Sequence, residues 1–285
     1  MELDSISGLI AADIDEYIVK TADKGHRAHL GASIIGEACS RKLWYTFRWC
    51  YTEDFRNPMN EARMMRLFER GHLEEARFIG WLRGIGAEVW THDTNGEQFR
   101  FKDINGHFAG SMDGVARLPA KYGIDEPILL EFKTSGTGAK FNDIVHNGMV
   151  QQKPIHFAQT CTYGSHPSYN FNYCLYFMIN KNDDSLHIEL IKLDHAFGRQ
   201  LRKKAELIIM ADKPPSRLSD NPTFFACQYC AAKNVCHKNE APEKNCRSCK
   251  YSKPDCDGEW FCGTHKAIIP KHIIPDGCSS YEAVG

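Results

Sequence analysis

The sequence lacks the features that mark a membrane or exported protein. No apolar run approaches the ~18 residues that a membrane-spanning helix needs. Residues 1–4 carry no basic stretch ahead of an apolar segment, so no secretory signal is expected and we predict a cytoplasmic location. An excess of charge of one sign is lacking as well, because 35 Lys and Arg stand against 36 Asp and Glu. That balance disfavours a protein that coats nucleic acid through general positive charge.

Internal repeats and low-complexity tracts are also missing, and the composition is that of a folded chain. The 285 residues are 42% hydrophobic and 25% charged, which argues against a mainly disordered protein. Apolar periodicity predicts helices over 8–24, 32–50, 60–83, 151–164 and 195–211, and strands over 97–103, 107–117, 127–133, 171–179 and 185–193. This order predicts an α/β protein whose mixed central sheet is flanked by helices. Apolar runs fade after Lys213-Pro214-Pro215, so a boundary is expected near residue 222.

Cysteine, in contrast, is abundant. Eight of the twelve cysteines follow residue 226, and in a reducing compartment such a cluster favours metal or iron–sulfur ligation over disulfides. The first group, Cys227-x2-Cys230-x5-Cys236, offers three ligands. Zinc could complete this set with His237 or Cys39, and an iron–sulfur cluster could complete it with Cys39. The spacing does not separate the two alternatives.

The second group, Cys246-x2-Cys249-x6-Cys256-x5-Cys262, has the spacing of a small zinc-binding module. The ~40 residues from 241 onwards contain few aliphatic side chains, so bound zinc would supply much of the folding energy of this module. Cys278 receives no role from its spacing.

Acidic and lysine side chains mark two predicted strands. Asp113 lies in Gly110-Ser111-Met112-Asp113-Gly114, while Glu131 and Lys133 are two apart, and therefore on one face, in the next apolar strand. Buried charges are costly, so the pattern favours side chains that face a divalent cation and water. Two carboxylates can hold Mg²⁺ or Mn²⁺, which polarises a phosphodiester, while Lys133 orients water or stabilises phosphate charge. The alternative is an exposed edge strand with a weak Glu–Lys ion pair.

Two predicted helices carry further polar candidates. His72 shares a helix face with Phe68 and Ala76, so we expect it to point toward the core, either as a hydrogen-bonded core residue or as a metal ligand. Gln159 and Tyr163 are four residues apart and share a face of the helix predicted over 151–164.

Together these residues follow the order and approximate spacing of a known family. His72, Asp113 in Gly-Ser-Met-Asp-Gly, Glu131-Phe132-Lys133 and Gln159-x3-Tyr163 resemble the RecB-like branch of the PD-(D/E)XK nucleases over about residues 30–240. The likeness is to CRISPR-associated iron–sulfur exonucleases, AddB-type nuclease domains and stand-alone phage-encoded members. It implies a restriction-endonuclease-like fold. It also implies that His72, Asp113, Glu131 and the Phe132 carbonyl bind the metal, that Lys133 is catalytic, and that Gln159 and Tyr163 position the site and the strand.

The same resemblance implies a structural [4Fe–4S] cluster, with zinc as the alternative, whose ligands would be Cys39, Cys227, Cys230 and Cys236. Such a cluster would clip the C-terminal segment onto the N-terminal helices and close a loop of ~190 residues, which restricts the unfolded chain. We accordingly divide the chain into a nuclease core over 1–222, a cluster-binding segment over 223–240, and a zinc module with its tail over 241–285.

The implied activity is Mg²⁺- or Mn²⁺-dependent hydrolysis of DNA. An exonuclease acting on DNA ends or single strands is preferred, with a role in phage replication, recombination or DNA degradation in the cytoplasm of a bacterial host. A helicase or a recombinase is an expected partner. The alternative is a non-catalytic DNA-binding or adaptor protein that keeps the fold and the structural metal sites. The intact Asp113, Glu131 and Lys133 argue against it.

A local excess of positive charge marks the N-terminal part. Residues 24–83 contain eleven Lys and Arg against seven Asp and Glu. Arg41, Lys42 and Arg70 are our candidates for a groove that contacts DNA phosphates, the alternative being a solvated helix face.

Overall fold

The computed structural model describes residues 3–22, 25–52, 58–136 and 138–285, so residues 23 and 24 of the first predicted helix lie outside it. The α-helices in these segments are α1 (Leu3–Thr21), α2 (Ser40–Phe47), α3 (Pro58–Gly84), α4 (Gly138–Asn147), α5 (Met149–Gln152), α6 (Pro154–Gly164), α7 (His195–Ile209), α8 (Phe225–Gln228) and α9 (Lys233–His237). The strands are β1 (Leu30–Gly31), β2 (Glu88–Trp90), β3 (Arg100–Asp103), β4 (Phe108–Ser111), β5 (Gly114–Arg117), β6 (Ile128–Ser135), β7 (Tyr173–Asn180), β8 (Leu186–Lys192), β9 (Ser252–Pro254), β10 (Trp260–Cys262) and β11 (Ala267–Ile268). Within the described segments, no helix combines the length and the apolar character that crossing a membrane requires.

The strands form three sheets. The largest has the order β2-β5-β6-β7-β8, in which β6 and β7 are parallel and the other neighbours are antiparallel. A smaller sheet has the order β1-β4-β3, and the C-terminal strands form an antiparallel sheet in the order β11-β10-β9. The mixed α/β architecture predicted from the order of the elements is confirmed.

Helices cover both faces of the five-stranded sheet. On one face, Phe78 of α3 packs against Phe132 of β6 and Phe177 of β7, with ring centroids 5.1 and 5.5 Å apart. On the other face, Leu129 of β6 belongs to the apolar cluster that includes Tyr163 of α6. Because side chains alternate along a strand, Glu131 and Lys133 lie on the α6 side of β6.

Two predicted elements are divided in the structure. The strand predicted over 107–117 is β4 followed by β5, which belong to different sheets, and the chain changes sheet at Met112 and Asp113. The helix predicted over 32–50 begins only at Ser40, after a 3-10 turn at Ala32–Ile34. The intervening loop passes so close to α6 that a Cβ on Gly36 would lie 2.8 Å from the Cβ of Ala158. The apolar pattern of the sequence does not indicate this close approach of the loop to α6.

The C-terminal sheet packs onto α2. Trp260 of β10 is 1% exposed, and its ring centroid lies 5.3 Å from that of Phe47. The guanidinium groups of Arg48 and Arg247 lie 5.3 and 4.6 Å from the centre of the Trp260 ring. Arg48 also donates a hydrogen bond to the carbonyl of Ser252 at 3.2 Å. The residues after 241 therefore share an apolar core with the N-terminal helices.

Candidate active site

Asp113 lies where the chain passes from β4 to β5. The pairing of β5 with β6 ends with Gly114 opposite Leu130. Beyond that pair, Asp113 Oδ2 accepts a hydrogen bond from the backbone N–H of Phe132 at 2.6 Å. The side chain thus extends the strand pairing by one bond, and this bond fixes the carboxylate beside the polar face of β6.

Glu131 and Lys133 lie in the middle of the five-stranded sheet. Glu131 Oε1 forms an ion pair with Lys133 Nζ, and the Glu131 side chain has no exposed surface, while that of Lys133 is 27% exposed. Since β6 is paired on both sides, by β5 and by β7, the edge-strand alternative is wrong. A fully buried carboxylate in a central strand is costly unless it is compensated, and such groups cluster at functional sites.

Gln159 and Tyr163 of α6 connect Glu131 to β4. Gln159 Nε2 donates hydrogen bonds at 3.3 Å to Glu131 Oε2 and at 3.3 Å to the Tyr163 hydroxyl oxygen. The Tyr163 hydroxyl donates in turn to the carbonyl of Ser111 at 2.8 Å. A Cβ on Gly110 would lie 2.6 Å from this hydroxyl oxygen, so the glycine leaves the room that the tyrosine needs. The shared face predicted for this Gln and Tyr is what brings both to the site.

The site holds more negative than positive charge. Burial raises the pKa of Glu131 to about 7; the Lys133 ammonium opposes this shift, while the charges of Asp113 and Glu75 add to it. Burial likewise raises the pKa of Asp113 against the opposing effect of Lys133. Burial also works against the Lys133 ammonium, but its three carboxylate neighbours outweigh this effect and raise the pKa of Lys133. Three carboxyl groups therefore surround one ammonium.

Glu75 of α3 is the member of this group that the sequence pattern did not single out. Burial, followed by the charge of Asp113, raises its pKa. Its Oε1 lies 3.2 Å from His72 Nδ1. The available signal was its position three residues after His72, which places both side chains on neighbouring turns of one helix face.

The prediction that His72 points into the core is wrong, because its side chain is 79% exposed. The buried positions of this part of α3 are Glu74, Phe78 and Leu82, so the inward stripe is rotated away from His72. Its ring nitrogen nevertheless lies 3.2 Å from Glu75 Oε1, which places His72 beside the carboxyl groups.

The four cysteines expected to bind one cluster line a single cavity of about 70 Å³. Cys39 is the N-cap residue of α2, and its sulfur accepts a hydrogen bond from the backbone N–H of Lys42 at 3.4 Å. Burial, with the nearby charges of Cys39 and Cys236, raises the pKa of Cys227 and of Cys230. His237 lines the same cavity, so both ligand sets considered from the sequence are present around it.

The second cysteine group differs from its predicted membership. The sulfurs that act on Cys246 and, together with burial, raise its pKa to about 11 are those of Cys278, Cys249 and Cys262. Cys256 is exposed, and the charges that act on it come from Asp255 and Asp257. Cys278, which the spacing left without a role, is thus among the thiols that act on Cys246, and Cys256 is not.

The three basic residues predicted to line a DNA groove lie at two places. Arg41 donates a hydrogen bond to the carbonyl of Pro215, in the segment after α7. Lys42 forms an ion pair with Glu37 at 2.9 Å and lines the cysteine cavity. Arg70 lies on α3, two residues before His72, and its side chain is 48% exposed beside Glu74. Of the three, Arg70 alone lies on a helix that also contributes a carboxyl side chain to the candidate active site.

No family model and no curated protein matches the sequence. Among solved structures, SSO0001 is 16% identical with a TM-score of 0.44, covering 83% of this chain and 100% of that one. The alkaline exonuclease LHK-Exo from Laribacter hongkongensis is 16% identical with a TM-score of 0.40, covering 64% of this chain and 87% of that one. LHK-Exo in complex with dAMP gives 17% identity, a TM-score of 0.38 and coverages of 68% and 90%. At identities and TM-scores this low, none of the likenesses carries an argument for this chain.

Proposed function

We propose that the protein is a divalent-metal-dependent deoxyribonuclease that hydrolyses phosphodiester bonds, acting as an exonuclease on DNA ends or single strands. The observation that carries the proposal is the group formed by the fully buried Glu131 with the partly buried Asp113 and Lys133, held by strand pairing and by Gln159. An adaptor protein would have no need to bury an acid and a lysine in its central strand, since the charges cost stability without such a role.

A divalent cation suits the donors of this site. Within the described residues, no three His, Cys, Asp or Glu side chains are grouped so that they could hold one metal ion. Mg²⁺ at phosphate-transfer sites, however, is held by one or two carboxylates together with water and the phosphate of the substrate. Asp113 and Glu131 supply two such groups, and their charge, with that of Glu75, exceeds what Lys133 offsets. When bound, the cation polarises the phosphodiester and lowers the pKa of a bound water.

The side chains of this site then have separate tasks. Lys133, whose side chain is partly exposed, orients the attacking water or stabilises the charge that develops on the phosphate. Gln159 holds one oxygen of Glu131 in place, and Tyr163 anchors Gln159 to the backbone of Ser111. Such supporting bonds keep a metal-binding carboxylate in one orientation.

We further propose that Cys39, Cys227, Cys230 and Cys236 hold a structural [4Fe–4S] cluster. Four thiols around one enclosed space supply the Cys₄ ligand set that these clusters use. Cys39 comes from the start of α2 and the other three from the segment of α8 and α9, so the cluster would join distant parts of the chain. The alternative is zinc held by Cys227, Cys230 and Cys236 with His237, and substitution of Cys39 separates the two.

The test of the proposed activity uses end-labelled and internally labelled DNA, single- and double-stranded, and a matched RNA strand. Anaerobically purified protein is incubated with each strand in Mg²⁺, in Mn²⁺ or in EDTA. We expect metal-dependent release of mononucleotides or short products from an end of DNA, with no cleavage in EDTA.

Cleavage that continues in EDTA would contradict the metal-dependent mechanism. Cleavage of RNA with DNA left intact would contradict the substrate assignment. Long fragments cut at internal positions, present at early times, would identify an endonuclease in place of an exonuclease. Tight DNA binding without any cleavage in either metal would support the adaptor alternative.

A further inference from the structure

The residues after 241 form a compact unit around a turn that contains two cysteines. The backbone N–H of Cys249 donates to the carbonyl of Cys246 at 3.2 Å, which closes the turn Cys246-Arg247-Ser248-Cys249. The backbone N–H of Ser252 bonds to the carbonyl of Cys249 at 3.2 Å, and Ser252 then pairs with Cys262 across β9 and β10. Cys262 is therefore carried back to the turn by the register of the sheet.

The C-terminal tail brings a fourth cysteine to the same place. The backbone N–H of Cys246 donates to the carbonyl of Ile274 at 2.8 Å, and that of Val284 donates to the carbonyl of Ser248 at 2.9 Å. The tail between these two bonds wraps around the turn, and it contains Cys278. The carbonyl of Cys278 accepts a hydrogen bond from Tyr281, whose hydroxyl lies 3.1 Å from that of Ser248. The Cys278 sulfur is close enough to act electrostatically on Cys246.

Cys256 is separated from this group by its local structure. It begins a short 3-10 turn at Cys256–Gly258, where its backbone N–H bonds to the side chain of Asp255 at 2.8 Å. Its thiol is exposed, and the charges acting on it are those of the flanking aspartates. Cys256 is thus a matched control, because it lies in the same unit and within the predicted spacing but outside the group.

We propose that Cys246, Cys249, Cys262 and Cys278 bind one zinc ion, and that Cys256 is not a ligand. Four cysteine thiolates are a common ligand set of structural zinc, and a turn with two cysteines separated by two residues is a usual half of such a site. Among the described residues, no three His, Cys, Asp or Glu side chains already converge on one point. Binding therefore turns the four thiols toward a common centre and releases their protons to solvent.

The zinc site would hold Arg247 in its buried position. Arg247 lies between the two cysteines of the turn, and its guanidinium lies 4.6 Å from the centre of the Phe47 ring and 4.5 Å from that of Trp49. Its Nη1 donates to the carbonyl of Arg27 at 3.1 Å. A turn fixed by metal keeps this side chain inserted between the aromatic rings, so zinc would fasten the C-terminal tail and the N-terminal segment together.

The first experiment measures the zinc content of the full chain by elemental analysis for the wild type, Cys278→Ser and Cys256→Ser. We expect one zinc per chain in the wild type and in Cys256→Ser, and loss of at least half of it in Cys278→Ser. Retention of zinc by Cys278→Ser together with loss of zinc from Cys256→Ser would overturn the proposal. The absence of zinc from wild-type protein that was purified from zinc-supplemented cells would overturn it as well.

The second experiment uses the wild type alone, so that a variant that fails to fold does not decide the outcome. The protein is alkylated with iodoacetamide with and without prior chelation by EDTA, and each cysteine is quantified by mass spectrometry. We expect Cys256 to react equally in both conditions and Cys278 to react several-fold faster after chelation. Equal protection of Cys256 and Cys278 before chelation, or a Cys278 that reacts as fast without chelation as after it, would overturn the ligand set.

Discussion

At the level of single residues, Glu131 differs from an exposed glutamate because burial raises its pKa from 4.5 to about 7. A raised pKa means that the folded protein binds the proton more tightly than the unfolded chain does. The stability that this tighter proton binding gives the folded protein is fully present below pH 4.5 and is lost as the pH rises through about 7. A bound divalent cation would reverse this loss, because it favours the ionised carboxylate.

We therefore predict that metal-free wild type loses stability between pH 5 and pH 8 relative to Glu131→Gln, whose amide does not titrate. The difference should reach at most about 3 kcal/mol, the upper bound for a shift of this size. Urea unfolding of both proteins in chelator at the two pH values measures this difference. Addition of Mg²⁺ at pH 8 should restore the free energy of unfolding of the wild type but not that of Glu131→Gln. Parallel pH dependence of the two proteins would contradict the assignment of the shift to Glu131.

Single residues also show where sequence reasoning succeeds and where it stops. The two-residue spacing of Glu131 and Lys133 and the four-residue spacing of Gln159 and Tyr163 fix which side chains share a face, because strand and helix periods are local. The orientation of His72 was not predictable in this way, because α3 presents apolar residues on several faces and its neighbours in the sheet select one. Cys278 was missed because the wrapping of the tail is set by contacts distant in sequence.

At the level of elements, the joint between α2 and β10 depends on Trp260. The ring is buried between Phe47, His107 and two guanidinium groups. We predict that Trp260→Ala lowers the free energy of unfolding by about 3–5 kcal/mol, the range for removing a large buried aromatic side chain. The loss should appear in the transition of the whole protein, because both elements belong to one core.

Urea unfolding followed by circular dichroism measures this loss, and Trp90→Ala is the control because Trp90 lies on β2 with 40% of its surface exposed. The control substitution should lower the free energy of unfolding by well under half as much as Trp260→Ala does. An early, separate transition of the C-terminal unit in Trp260→Ala, with an unchanged main transition, would contradict a shared core.

At the level of the whole molecule, the cysteine cavity joins α2 to the segment of α8 and α9. If a [4Fe–4S] cluster fills it, the isolated protein is brown, and Cys39→Ser loses the visible absorption as fully as Cys230→Ser. Cys256→Ser, a substitution at an exposed thiol outside the cavity, should keep the colour. Iron analysis and visible spectroscopy of the anaerobically purified proteins measure the iron content and the visible absorption of the wild type and of each variant. A colourless wild type that holds zinc here, and keeps it in Cys39→Ser, would establish the zinc alternative with His237.

The proposed activity requires that Asp113, Glu131 and Lys133 act together at one site to cleave a phosphodiester bond. The most direct measurement is the single-turnover cleavage rate of end-labelled single-stranded DNA in Mg²⁺, with DNA affinity measured on the same samples. The variants are Glu131→Gln and Lys133→Met, matched by Glu88→Gln on β2 and Lys192→Met on β8, whose side chains are exposed. We predict that the first pair loses about a hundredfold or more of the cleavage rate while its DNA affinity stays within a few-fold of the wild type, and that the second pair cleaves at the wild-type rate. Wild-type cleavage by Glu131→Gln or Lys133→Met would contradict this prediction.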